Sequence, residues 1–177
     1  TLFPYTKLFR SWHQGASGET LGTYTSLVEN GATKGLDVTG KSQILNGYAD
    51  TDFTNNNLLE ILAAGVSVVG DPSGDAAGFT FQVPIFFYVD GVIGQQYTTL
   101  RTEVPADGVI TADALWTTSG AIGSIYARGD SDQLEDLLSL MSSYQIIGHG
   151  FYVESGSVLA QSVTFNGLVT SFEKAAA

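Results

Sequence analysis

The residues best equipped for chemistry stand at Gly35-Leu-Asp-Val-Thr-Gly40-Lys41-Ser42, a letter-for-letter match to the phosphate-loop pattern G-x-x-x-x-G-K-[ST]. In such a loop, backbone N–H groups and a helix N-terminus cradle the phosphates while the lysine reaches them. Ile85 to Asp90 also resembles the apolar strand whose terminal carboxylate holds magnesium. The chemistry requires a strand before the first glycine and a helix after the serine. Here Asn30-Gly-Ala-Thr-Lys precedes Gly35, which reads as a turn. Gln-Ile-Leu-Asn follows Ser42 and stops at Gly47, too soon for a helix. The match is expected to be coincidental, with Asp90 committed to a turn.

Other motifs are similarly local. Arg128-Gly129-Asp130-Ser131 contains the tripeptide that integrins read, but Asp130 is also well placed to cap a helix. Asp50, Asp52 and Asn56 have calcium-loop spacing, yet Asn55 stands where the glycine belongs and Ile61 where the acidic twelfth residue belongs. Asp71 and Asp75 offer carboxylates to a surface cation; turn chemistry accounts for both equally well. His13 and His149 are the only histidines and are far apart, whereas a metal site wants close spacing. His149, between two glycines in a strand, is expected to be packed. No G-x-S-x-G elbow is present. Glu154 with Glu173, or Glu103 with Asp107, would make a carboxylate pair, but nothing in the sequence joins either. Tyr88, Tyr97, Trp116, Tyr126 and Tyr152 would suit a sugar-binding face, or else cross-strand packing. The expectation is therefore no catalytic, cofactor-binding or metal site, and no enzyme.

Composition narrows the class. Of 177 residues, 44% are apolar and 14% charged, which excludes disorder and leaves little charge to cover a free surface. Formal charge is -11, with 7 Lys+Arg against 18 Asp+Glu, so direct nucleic-acid binding is not expected. There is no cysteine, hence no disulfide and no thiolate metal site. No apolar run approaches the ~18 residues of a membrane span. Thr1 is compatible with removal of an initiator Met or of an earlier leader; the two readings stay open.

The elements that would position any site centre on Phe79 to Val104. Two β-branched and aromatic arms flank Asp90-Gly91, the signal of a two-residue hairpin turn with both residues at positive φ. Pro84 lies in the first arm, so that arm is expected to be an edge or to carry a bulge. Around it, residues 1–22 read as an irregular aromatic N-terminal arm that packs on its own domain or on a neighbouring subunit, and 23–174 as one domain. Strands are expected near 23–28, 36–45 (interrupted by Gly40-Lys41), 66–69, 109–116, 121–127 and 168–172. Tyr144 to Glu154 and Ser157 to Phe165 read as a second hairpin through Ser155-Gly156. Asn57 and Glu60 mark a capping box for a helix Leu58 to Ala64 that stops at Gly65. Ser131 to Ser142 reads as a helix capped by Asp130 or Ser131, with Leu134, Leu137, Leu138 and Met141 on one stripe. Helices do not alternate with strands, so the fold expected is all-β: an antiparallel two-sheet sandwich or jelly-roll barrel with one or two short helices in connections.

The paired long strands around Asp90-Gly91, the helix Ser131 to Ser142 between strands and the closing segment Tyr144 to Phe165 resemble the single jelly-roll capsid proteins of viruses. In particular they resemble the small major capsid proteins of tailless, membrane-containing phages. That resemblance implies a non-enzymatic virion structural protein that self-assembles as a homo-oligomer, or together with other virion proteins. A phage tail-tube or head-decoration protein is the near alternative. A carbohydrate-binding β-sandwich module, secreted rather than in a virion, is the alternative from another class.

Overall fold

The computed structural model describes residues 12–14, 23–47 and 57–177. Strands β1 (Trp12–Gln14), β2 (Tyr24–Glu29), β3 (Ala32–Thr39) and β4 (Ser42–Gly47) come first. Helix α1 (Leu58–Ala64) leads to β5 (Ser67–Pro72), β6 (Thr80–Tyr88) and β7 (Gln96–Glu103). Then come β8 (Trp116–Thr118), β9 (Ser131–Asp132), helix α2 (Leu134–Ser139), β10 (Ser143–Ile146), β11 (Gly148–Val153), β12 (Ser157–Phe165) and β13 (Leu168–Ser171). The larger sheet runs β1-β4-β11-β6-β7-β8-β9, with β10 also on β6; the smaller runs β13-β12-β3-β2, with β5 also on β12. Every pairing is antiparallel. The two sheets form a sandwich and do not close into a barrel, so of the two expected forms the open one is found.

Alternation along each strand builds the interior. In β6, Phe81, Val83, Ile85 and Phe87 are all fully buried, and Val158, Ala160 and Val163 of β12 join the same cluster. Phe165 of β12 reaches across to the larger sheet, stacking on His149 of β11 at 3.9 Å. Each valine, isoleucine or phenylalanine side chain fully removed from water contributes about 1.5–3 kcal/mol, which is what holds the sheets face to face.

The order of pairing shows one long ribbon rolled up. At its tip, β6 pairs with β7. Behind the tip, β5 bridges the segment around Val109, with Val68 N–H donating to Gly108 O at 2.9 Å and Ile110 N–H to Val66 O at 3.0 Å. Next β4 pairs with β11, and last β3 with β12. Successive ribbon segments alternate between the sheets. Residues 111–147 are an insertion in the return arm; β8 to β10 extend the larger sheet, and Leu134, Leu137, Leu138 and Met141 are buried.

Several sequence expectations are corrected. The tip is not a two-residue turn: Val92 N–H donates to Val89 O at 3.1 Å, and of the central pair only Gly91 has positive φ (+80°). That is the backbone pattern of a type II turn, with glycine third. The loop then runs on to Gln95 through Gly94 (φ +94°), so Val92 and Ile93 leave the second arm. Pro84 is neither at an edge nor in a bulge of its own strand. Its carbonyl accepts from Ile147 N–H at 3.0 Å, and Ile147 is where the neighbouring ladder breaks between β10 and β11. In a strand N–H and C=O of one residue face the same side, so the missing donor meets the break. Ser155-Gly156 joins no hairpin either, because β11 lies in the larger sheet and β12 in the smaller.

The expected strand 109–116 reduces to a bridge at Val109 and to Trp116, which opens β8, and 121–127 to a bridge between Ile122 and Tyr126. The second helix is shorter than expected. Ser131–Asp132 pair with β8 instead, and Gln133 stands at the N-cap without a side-chain bond. Helix α1 has the expected bounds; Asn57 Oδ1 accepts from Glu60 N–H at 3.3 Å and Gly65 ends it at φ +124°. Tyr144 OH also accepts from Leu58 N–H at 2.8 Å, tying the helix start to β10. Of the N-terminal arm, the described piece is β1 on the edge beside β4, with Trp12 buried against His149 and Phe172 of its own chain.

A candidate binding groove on the larger sheet

The outward face of the larger sheet carries a groove of about 650 Å³. Register assembles it. Thr80 of β6 lies opposite Glu103 of β7 on one side and Tyr152 of β11 on the other, and Gln82 lies between Arg101 and Gly150. Glu154 and Thr117 complete the walls. Gly150 adds nothing to the groove, because the Ile44 carbonyl of β4 fills the place where its side chain would stand. The Gln82 amide is buried, with its Oε1 accepting from Gln43 Nε2 and its Nε2 donating to Thr80 Oγ1 at 3.3 Å.

Arg101 is the distinctive group. Its Nη2 donates to Thr118 O at 3.2 Å, while its Nε is shielded from water without a hydrogen-bond partner. Among the described residues no carboxylate lies within ion-pair distance of it; the ion pair nearby is Lys41 with Glu154, at 3.6 Å. Tyr152 OH donates to the same Glu154. The groove thus offers donors, carboxylate acceptors and an aromatic ring together. That set suits a ligand carrying several hydroxyls and a group able to accept from a guanidinium.

The sequence candidates fall in other places. Gly35 to Ser42 runs from β3 through a corner into β4; Ser42 Oγ donates to Thr39 O at 2.7 Å, and no helix follows. Arg128, Gly129, Asp130 and Ser131 are exposed on a turn closed by Asp130 N–H to Ala127 O at 3.3 Å. Asp130 caps no helix; its carbonyl accepts from Tyr126 OH. Asp75 accepts from Ser73 Oγ at 2.6 Å, and Asp71 pairs with Leu159 in the ladder. Among the described residues no group of three or more metal-ligating side chains is found. The Asp50, Asp52 and Asn56 loop lies outside the described residues.

His149 is packed in the interior between Trp12 and Phe165. Burial pushes its pKa down to about 3. Glu103 and Glu154 share the groove, a pairing not anticipated. Asp107 instead accepts from Val109 N–H at 3.0 Å, and Glu173 follows β13 of the smaller sheet. Trp116 and Tyr126 are buried, Trp116 completely, with Nε1 donating to Thr111 O at 3.0 Å. Of the five aromatics, Tyr88 and Tyr97 are exposed and Tyr152 lines the groove. No sequence signal marks Arg101 or Gln82, since nothing local tells which strand positions face outward beside which neighbours.

Set against known proteins, the chain matches no family model, no curated protein and no solved structure.

Proposed function

We propose that this chain is a non-enzymatic shell subunit of a virion, acting by self-assembly. The observation that carries the reading is the rolled ribbon. Paired arms alternating between two sheets, with the tip hairpin β6–β7 innermost in the order, follow the wrapping of a jelly roll. That architecture serves viral capsids, and also lectins. Surface composition supports the first. Charged residues are 14% of the chain, and Ile93, Leu168, Val169, Ile125, Leu115 and Val28 are all largely exposed. Those side chains are available for burial against neighbouring subunits. The tail-tube and head-decoration alternatives share this chemistry and differ in symmetry. Light scattering across a salt series tests the reading. A mass above the monomer that grows as salt screens the negative charge is expected; a monomer at every salt concentration overturns it.

A second reading, a saccharide-binding module, is favoured by the groove around Arg101, Gln82 and Tyr152. A glycan panel followed by calorimetry tests it. Arg101→Ala should abolish binding of an acidic sugar with the fold intact, and absence of binding by the unmodified chain ends the reading. Trp116→Ala is not a usable test, because that ring is core.

A further inference from the structure

Among the described residues the smaller sheet ends in β2, whose one neighbour is β3. Thr39 N–H donates to Thr23 O at 2.7 Å, which sets the phase of the ladder. Residues 23, 25, 27 and 29 therefore turn their backbone groups toward β3. Tyr24, Ser26 and Val28 turn theirs away from the sheet. At the far end the phase is the same: Asn30 and Gly31 form the hairpin turn at φ +51° and +77°, and Thr33, opposite Val28, exchanges its bonds with Lys174 on its other side.

Natural sheets guard such an edge with lysine, proline, a bulge or a covering segment. The strand reads Tyr-Thr-Ser-Leu-Val-Glu, with no lysine, no proline and one charge at its end. The register irregularity between Leu27 and Val28 places the extra residue, Lys34, in β3, so β2 itself keeps a regular alternation. Tyr24 is 37% exposed and Val28 59%.

We infer that β2 pairs antiparallel with β2 of a second copy of this chain, about a two-fold axis at Ser26. The sequence is self-complementary in that register. Ser26 faces Ser26, and Tyr24 faces Val28 in both directions, an aromatic–β-branched cross-strand pair. Glu29 falls opposite Thr23, so no like charges meet. The outward N–H and C=O groups of Tyr24, Ser26 and Val28 satisfy one another, as in strand addition at a sheet edge. The pairing joins two smaller sheets into one continuous sheet. It deepens the self-assembly reading and rests on it for the identity of the partner.

The chain has no cysteine, which permits a direct test. Ser26→Cys places two thiols opposite each other within disulfide reach; Thr25→Cys places them two residues out of register. Under mild oxidation, Ser26→Cys should run as a dimer of twice 18.7 kDa on a non-reducing gel, and Thr25→Cys as monomer. Ser26→Pro is expected to leave circular dichroism and melting unchanged, because β3 does not use that N–H, yet to remove the dimer seen by sedimentation. Equal cross-linking of both cysteine variants, or assembly that survives Ser26→Pro, overturns the edge pairing and leaves the shell reading standing. A monomer at every salt concentration overturns both.

Discussion

Strands β11 and β2 are each six residues long and obey opposite rules. β11 lies between β4 and β6, and all of its residues but Tyr152 are buried. Among the described residues β2 has one neighbour, and all of its residues but Leu27 are exposed. The sequences reflect this. β11 carries Gly148 and Gly150 where neighbouring backbone crowds it, and a histidine and a phenylalanine facing inward. β2 carries small hydroxyls and apolar groups that fit no interior. The difference separates residues that specify the sandwich from residues available to something outside it.

The sharpest way to break the comparison is Phe151→Ala. That ring is fully buried, edge-on to Phe79 at 6.0 Å, and its loss should cost about 3–5 kcal/mol in denaturant unfolding. A cost below 1 kcal/mol would mean that β11 is not the centre of the sheet. Gly150→Ala should follow at about 1–3 kcal/mol, because a methyl there would overlap the Ile44 carbonyl oxygen.

His149 gives the next effect, and it is pH-dependent. Its folded pKa, about 3, lies below the ordinary 6.5, so within the fold it stays neutral while the unfolded chain takes a proton. Stability is full above pH 6.5 and falls as acid is added, by about 1.4 kcal/mol per pH unit down toward pH 3. Between pH 7 and 5 this amounts to about 2 kcal/mol. His149→Leu should flatten that slope in parallel unfolding titrations, and an unchanged slope would assign the loss to other groups. Smallest of all, Val28→Lys should change the stability of the monomer by no more than about 0.5 kcal/mol, as expected of a surface site. A larger loss would place β2 inside the cooperative core.

Legibility in the sequence followed the range of the interaction. Helix α1 was readable to the residue because Asn57, Glu60 and Gly65 act within one turn of chain. The bend at Asn30-Gly31 was readable for the same reason, but the turn read on through Lys34 was not found, because Ala32 to Lys34 already belong to strand β3. Ser131 and Asp132 carried the chemistry of a helix start, yet strand β8, more than a dozen residues earlier, claimed them as a ladder. Ser155-Gly156 looked like a hairpin because turn residues state that the chain bends, and not whether it bends within a sheet or between two. The groove was invisible for a stronger reason. Arg101, Gln82 and Tyr152 come from three strands whose adjacency is set only when the ribbon rolls.

The rolled ribbon also dictates when this polypeptide can become native during its own synthesis. Ala32–Thr39 finds its mate in Ser157–Phe165, far downstream in the chain. A ribosome must therefore release everything up to β12 before the outermost layer can shut, and the nascent segment waits with greasy strands unmatched. Abundant synthesis of many identical copies would put those waiting segments side by side, so a holding chaperone, or slow translation, should matter more to its yield than to that of a helical protein of equal length.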